Sequence, residues 1–124
     1  MNILYHFPTS DYCSGTDLIR LETGADKVTV IHEMIHWARH IERTGPLGSN
    51  RQLNGPALWE QYDREEVIAN LGTLIILESM GIYEHSEGLW EDIEDDCEDW
   101  DFDFDTIVED TRTSIHYLLN EVTR

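Results

Sequence analysis

The order of apolar and polar positions divides the chain into a short mixed leader and a helical remainder. Residues 2–7 mix apolar and aromatic side chains and stop at Pro8, which predicts a short edge strand. Tyr12-Cys13 and Leu18-Ile19-Arg20-Leu21 flank the turn material Ser14-Gly15-Thr16 and read as the arms of a small hairpin. After Gly24, no Gly or Pro interrupts Asp26 to Thr44, so a helix is expected there, N-capped by Asp26 and stopped by Gly45-Pro46. Gly45 to Pro56 is loop. A second helix is expected from about Leu58 or Asp63 to Met80, closed by Gly81. Its part from Val67 to Leu77 is apolar nearly all round, which makes it the core helix.

From Glu84 to Asp105 the chain is strongly acidic. Trp90, Ile93, Cys97 and Trp100 nevertheless recur at spacings of three and four, predicting an acidic helix with one packed face. Asp101-Phe102-Asp103-Phe104-Asp105 is similar to the start of a calcium loop, but the Gly and Glu that such a loop needs are missing. The last helix, Thr106 to about Val122, should turn Ile107, Val108, Thr111, Ile115, Leu118, Leu119 and Val122 toward the core helix. The expected fold class is therefore α+β, mostly α. A short N-terminal β-hairpin packs on a helical core, and residues 1–124 form one domain.

Charge narrows the function. The chain carries 26 acidic and 8 basic residues, a formal charge of −18. Such a surface repels phosphate and argues against direct nucleic-acid binding. It suits a basic partner, including a DNA-binding protein whose cleft an acidic surface could occupy. No apolar run approaches a membrane span, and Met1 to His6 lacks the basic and apolar regions of a signal peptide, so a cytoplasmic protein is expected. Cys13 and Cys97 are expected as free thiols.

The chemistry lies in His32-Glu33-Met34-Ile35-His36, a His-Glu-x-x-His pattern. Residues four apart lie one above the other on a helix, so His32 and His36 can direct both imidazoles at one ion. Glu33, one step round, can reach a water on that ion and act as general base without ligating it. With six His in the chain, the bare pattern arises by chance in roughly three of a hundred shuffled sequences, so a third ligand has to support it. A catalytic zinc takes three protein ligands and keeps one position for water. Glu66 and Glu65 compete for that place. Glu66 shares a helix face with Ala69, whose small side chain permits close approach, and with Asn70, which could accept a hydrogen bond from a ligand imidazole. Glu65, one step round, would face the loop or solvent, so Glu66 is preferred. Gly72 suggests close helix packing nearby. His40 lies one turn beyond His36, which suits the helix surface or a supporting contact better than ligation. With Arg43, Tyr62, His116 and Tyr117 it is one of the groups available to stabilise an oxyanion.

The two motifs together, His32-Glu33-Met34-Ile35-His36-Trp37-x-x-His40 and Arg64-Glu65-Glu66-Val67-Ile68-Ala69-Asn70-Leu71-Gly72, resemble the zincin-like metallopeptidase domain of ArdC-type antirestriction and phage polyvalent proteins. Glu66-x-x-Ala69-Asn70 is similar to the third-ligand helix of gluzincins, and Asp110-Thr111-Arg112 with Tyr117-Leu118-Leu119 to that family's closing helix. The resemblance covers roughly residues 12–81 and 105–120. It implies a zinc-dependent peptidase of phage or plasmid type acting on a protein or peptide in the host cytoplasm. The rival expectation is an acidic, DNA-mimicking antirestriction inhibitor in which zinc is structural or vestigial.

Overall fold

The computed structural model describes residues 1–49 and 53–123. Within them, three strands precede four helices: β1 (Asn2–Phe7), β2 (Asp11–Cys13), β3 (Leu18–Glu22), α1 (Lys27–Ala38), α2 (Pro56–Ser79), α3 (Ser86–Asp99) and α4 (Phe104–Val122). This is the expected α+β, mostly α, class. β2 and β3 form the antiparallel hairpin, with Tyr12 opposite Ile19, and β1 lies parallel to β3 on its other side. β1 and β2 are thus both edges of a sheet ordered β1-β3-β2. Alternation along β3 buries Ile19 and Leu21 completely and turns Leu18, Arg20 and Glu22 outward, so one face of the sheet packs on the helices.

Asp26 caps α1 as its sequence position suggests, its carboxylate accepting a hydrogen bond from the Thr29 backbone N–H at 2.9 Å. The helix ends at Ala38, six residues before the expected Thr44. Side chains end it by taking groups that would continue the ladder. The Thr44 backbone N–H and hydroxyl both donate to the Ala38 carbonyl, the hydroxyl at 2.6 Å, and the Glu42 N–H donates to the His40 ring at 3.2 Å. The chain then folds back so that the Leu47 N–H donates to the Arg39 carbonyl at 3.0 Å.

α2 starts earlier than expected, at Pro56, where the missing N–H of proline costs nothing in the first turn. It is the core helix: Val67, Ile68 and Ala69 are fully buried, and Leu71, Leu74 and Leu77 nearly so. It ends at Ser79, with Gly81 at φ +78° reversing the chain. α3 packs through Leu89 and Ile93, with Cys97 and Trp100 half-buried, whereas Trp90, expected on that face, is exposed. On α4 the buried positions are Ile107, Thr111, Ser114, Ile115 and Leu118; Leu119 and Val122, also expected inside, are exposed. Asp103, from the calcium-like run, caps α4 by accepting from the Asp105 N–H and the Thr106 hydroxyl. Both cysteines are free.

α1 and α2 run antiparallel: Ile35 meets Gly72, His36 meets Glu66, and Arg39 meets Glu65. Gly72 permits this approach. A Cβ there would stand 3.0 Å from Cδ1 and 3.1 Å from Cγ1 of the fully buried Ile35. Gly72→Ala should therefore destabilise the fold by about 1 kcal/mol, overpacking outweighing the helix propensity gained. Ile35→Val removes the nearest atom, so in thermal unfolding the double variant should lose less than the sum of the singles. A stabilising Gly72→Ala would show that the two helices do not need this contact.

Candidate metal centre

His32 and His36 project from the same face of α1, one turn apart, their rings meeting edge-on with centroids 4.7 Å apart. Their Nε2 atoms stand 3.1 Å from each other. Glu66 reaches them from α2, with Oε1 2.8 Å from His36 Nε2 and Oε2 3.3 Å from His32 Nε2. Each of the three residues offers one ligand atom within 4.8 Å of the others. The donor chemistry fits a divalent zinc. Tetrahedral bonds of about 2.0–2.1 Å would separate the donor atoms by roughly 3.3–3.4 Å, close to the spacings found. One imidazole proton cannot satisfy all three contacts at once, whereas a cation among three lone pairs would.

The electrostatics agree with that geometry. Burial pushes the Glu66 carboxyl up, but hydrogen bonds and charge from His32 and His36 outweigh it and hold the group far below the usual carboxylate range. For His32, burial works against the charged form. Glu66, Glu33 and a hydrogen bond to the Asn70 side chain raise its pKa nonetheless. Asn70 is itself buried, on the face that Glu66 and Ala69 share.

Glu33 is 7 % exposed, its Oε1 3.9 Å from His32 Nε2, beside the three donors rather than among them. Burial raises its pKa, His36 and His32 oppose the rise, and Glu66 and Asp11 add to it. These groups line a cleft of about 440 Å³ whose other walls come from β2 and its flanks (Ser10, Asp11, Tyr12, Ser14), from Leu47, and from Leu58, Gln61 and Tyr62 at the start of α2.

The remaining groups named from the sequence fall in different places. Tyr62 is exposed at the rim of the cleft. The charge of Glu66 and then burial raise its pKa, with Asp63, Glu33 and Asp96 adding to the rise, which keeps its hydroxyl protonated. Tyr117 does not line the cleft; its ring packs against Trp37 with centroids 5.9 Å apart. His40 is neither on the helix surface nor on the cleft. It lies buried beyond the end of α1, its ring filling the space beside Gly48, where a Cβ would stand 2.8 Å from Nε2. Arg43 stacks over Trp37 at 3.9 Å and pairs with Asp17. His116 is exposed.

Glu65 corrects the sequence reading most sharply. Expected at the loop or in solvent, it is 3 % exposed and accepts two hydrogen bonds from Arg39, at 2.8 and 3.0 Å. Sequence reasoning also missed Tyr12. Its hydroxyl donates to Asp17 at 2.6 Å and is therefore committed away from the cleft it lines. The alternation Asp11-Tyr12-Cys13 offered no signal for the Asp17 contact.

A helix presenting His-Glu-x-x-His beneath a cleft, met by a glutamate from an antiparallel partner, defines a centre of the zinc-peptidase type. The chain matches the zincin-like metallopeptidase family over residues 11–94, and it belongs to that family. The closing-helix resemblance at residues 110–119 lies beyond the matched span. Among curated proteins and among solved structures, none matches. No helix in the described residues is long and apolar enough to cross a membrane.

Beside the centre, carboxylate oxygens of Asp63, Asp96 and Asp99 come within 4.8 Å of one another. Burial, with Asp63, Glu66, Asp99 and Asp92, pushes the Asp96 carboxyl up to about 6. Folded Asp96 thus holds its proton to higher pH than in the unfolded chain. Between an ordinary Asp pKa of about 4 and its folded value of about 6 the folded state binds the extra proton, so stability falls as pH rises through that window. Asp96→Asn should raise the melting temperature of metal-free protein by a few degrees above pH 6 and leave it unchanged near pH 4. An equal gain at both pH values would show that Asp96 is not the titrating group.

Proposed function

We propose that the protein is a zinc-dependent peptidase in which His32, His36 and Glu66 hold the metal and Glu33 is the general base. The convergence of three donor atoms from α1 and α2, with a buried carboxylate beside them in a cleft, carries this reading. A zinc ion there supplies a Lewis acid that polarises a carbonyl and makes water acidic enough to attack near neutral pH. The protein does the rest. Glu33, buried and with a raised pKa, is placed to take a proton from the attacking water and return it to the leaving amine. Asn70 orients the His32 ring. The Tyr62 hydroxyl, at the rim of the cleft, is a donor available to an oxyanion. β2, an edge strand beside the cleft, leaves backbone groups with which an extended protein or peptide substrate can pair. The motif resemblance extends this to an ArdC-type antirestriction setting in a phage or plasmid context, with host-cytoplasmic action.

One observation favours a second reading. Arg20, Arg39, Arg43 and Arg64 are each paired with an acid of the chain, so few bases are left to partner the excess of acids behind the −18 formal charge. α3 exposes Glu91, Glu94, Asp95 and Glu98 together. That surface would suit a mimic of DNA bound to a basic DNA-binding protein, with zinc structural or vestigial. Retention of Glu33 beside the donors speaks for the enzyme, since a structural site needs no base.

Metal content comes first. Wild-type protein should hold about one zinc per chain; His36→Ala should lose it with a lower melting temperature, and Glu66→Gln should weaken it. Full zinc occupancy in both His32→Ala and His36→Ala would remove the site from consideration.

Enzyme and mimic then separate by mutation. Glu33→Gln should keep fold and zinc but lose cleavage, while Lys at positions 91, 94, 95 and 98 should change cleavage only modestly. A mimic behaves the opposite way, its inhibition falling steeply with salt and vanishing with the charge reversals. The assay is cleavage or antirestriction in cells carrying each variant. Activity that survives Glu33→Gln and dies with the reversals sinks the enzyme reading.

A further inference from the structure

Two glutamates stand side by side on α2, and only one reaches the histidines. Adjacent helical residues point about 100° apart, so a rotation of α2 by one position would exchange them. We infer that Arg39 sorts the pair: by clamping Glu65 it sets the rotation and height of α2 against α1 and so positions Glu66 at His32 and His36. Arg39 is thus a positioning residue for the third ligand.

Four observations carry the inference. The guanidinium grips Glu65 with two parallel hydrogen bonds, Nε to Oε1 at 2.8 Å and Nη2 to Oε2 at 3.0 Å, a fork that fixes angle as well as distance. Both side chains are only 4 % exposed, so neither can wander into solvent. Arg39 follows His36 by three residues and Glu65 precedes Glu66 by one, so clamp and donor cluster are neighbouring turns of the same helix pair. Finally, the turn after α1 is built around Arg39. Its Nη1 donates to the Thr44 carbonyl at 3.1 Å, and Gly45 leaves the room it occupies, since a Cβ there would stand 2.7 Å from Nε. Asp110 of α4, 3.9 Å from Arg39 and 2.6 Å from Arg64, ties the clamp to the rest of the bundle.

The consequence for zinc rests on the function proposed above; the geometric claim does not. A buried ion pair is a weak source of stability, and replacing it with apolar residues of similar size often leaves the fold intact. The positioning role and a merely structural one therefore diverge in Arg39→Met/Glu65→Leu. Zinc affinity is read by chelator competition, melting temperature on metal-free protein, and the His36–Glu66 contact from a metal-free crystal structure. Positioning predicts a near-wild-type melting temperature, zinc affinity weaker by about 10- to 100-fold, and a Glu66 carboxylate drawn away from His36. A structural role would lower the melting temperature and leave zinc affinity and the contact unchanged, which would overturn the inference. Should the double variant fail to fold, Arg39→Lys decides, because it keeps the charge and loses the fork. A loss of affinity and a lengthened contact support the clamp, and wild-type values of both overturn it. Wild-type protein that binds no zinc refutes the proposed function, and the His36–Glu66 contact in the variants then decides the clamp alone.

Discussion

The site depends on how closely α1 and α2 approach. Neither helix holds enough donors by itself: α1 supplies two imidazoles and α2 one carboxylate, and they meet only because the backbones come together at Gly72 and Ile35. Closing that gap has a cost. Glycine weakens a helix interior by about 1 kcal/mol relative to alanine, and a close approach leaves no slack for a misplaced side chain. Apolar burial along α2, where Val67, Ile68 and Ala69 are fully enclosed, holds the bundle together without fixing the rotation of a helix, because burial is non-directional. Directional contacts have to do that, and Arg39–Glu65 is the bidentate one between these two helices.

Part of this was legible in the sequence because it is local. The His-Glu-x-x-His spacing sets a face on any helix, and Glu66, Ala69 and Asn70 share a face by the same rule. The hairpin and the Asp26 cap rest on short-range turn and capping chemistry, and they too were readable. What was not legible is non-local. Nothing in the run Arg64-Glu65-Glu66 distinguishes an acid facing solvent from one buried against an arginine 26 positions earlier. Periodicity treats every charged residue as outward-facing, and so assigned Glu65 to the surface. The end of α1 was misjudged for a related reason. Propensity continues the helix to Thr44, whereas the Thr44 hydroxyl and the His40 ring compete for its backbone groups once the chain has folded back.

The acidic composition looks different once its partners are visible. Four arginines pair with acids of the same chain, on β2, in the turn after it, on α2 and on α4. Arg39 and Arg43 are buried or nearly buried connectors between elements, whereas Arg64 is partly exposed and Arg20 pairs with Asp11 at the sheet edge. Burial, with the crowding of Asp63, Glu66 and Asp99, pushes the Asp96 carboxyl up to about 6.

The charge inside the centre points the same way from a different side. With both imidazoles neutral, Glu66 and Glu33 leave two negative charges in a pocket largely withdrawn from water. Burial raises the pKa of Glu33 against the opposing charge of the two imidazoles, and for His32 burial is outweighed by the neighbouring Glu66 and Glu33, which raise it too. A divalent cation among the three donors would cancel the same two charges. The carboxylate that is not a ligand is then as necessary to the balance as the one that is. Glu33 itself stands 3.9 Å from His32 Nε2, outside the donor triangle, a position that supports the proposed base role better than that of a fourth ligand.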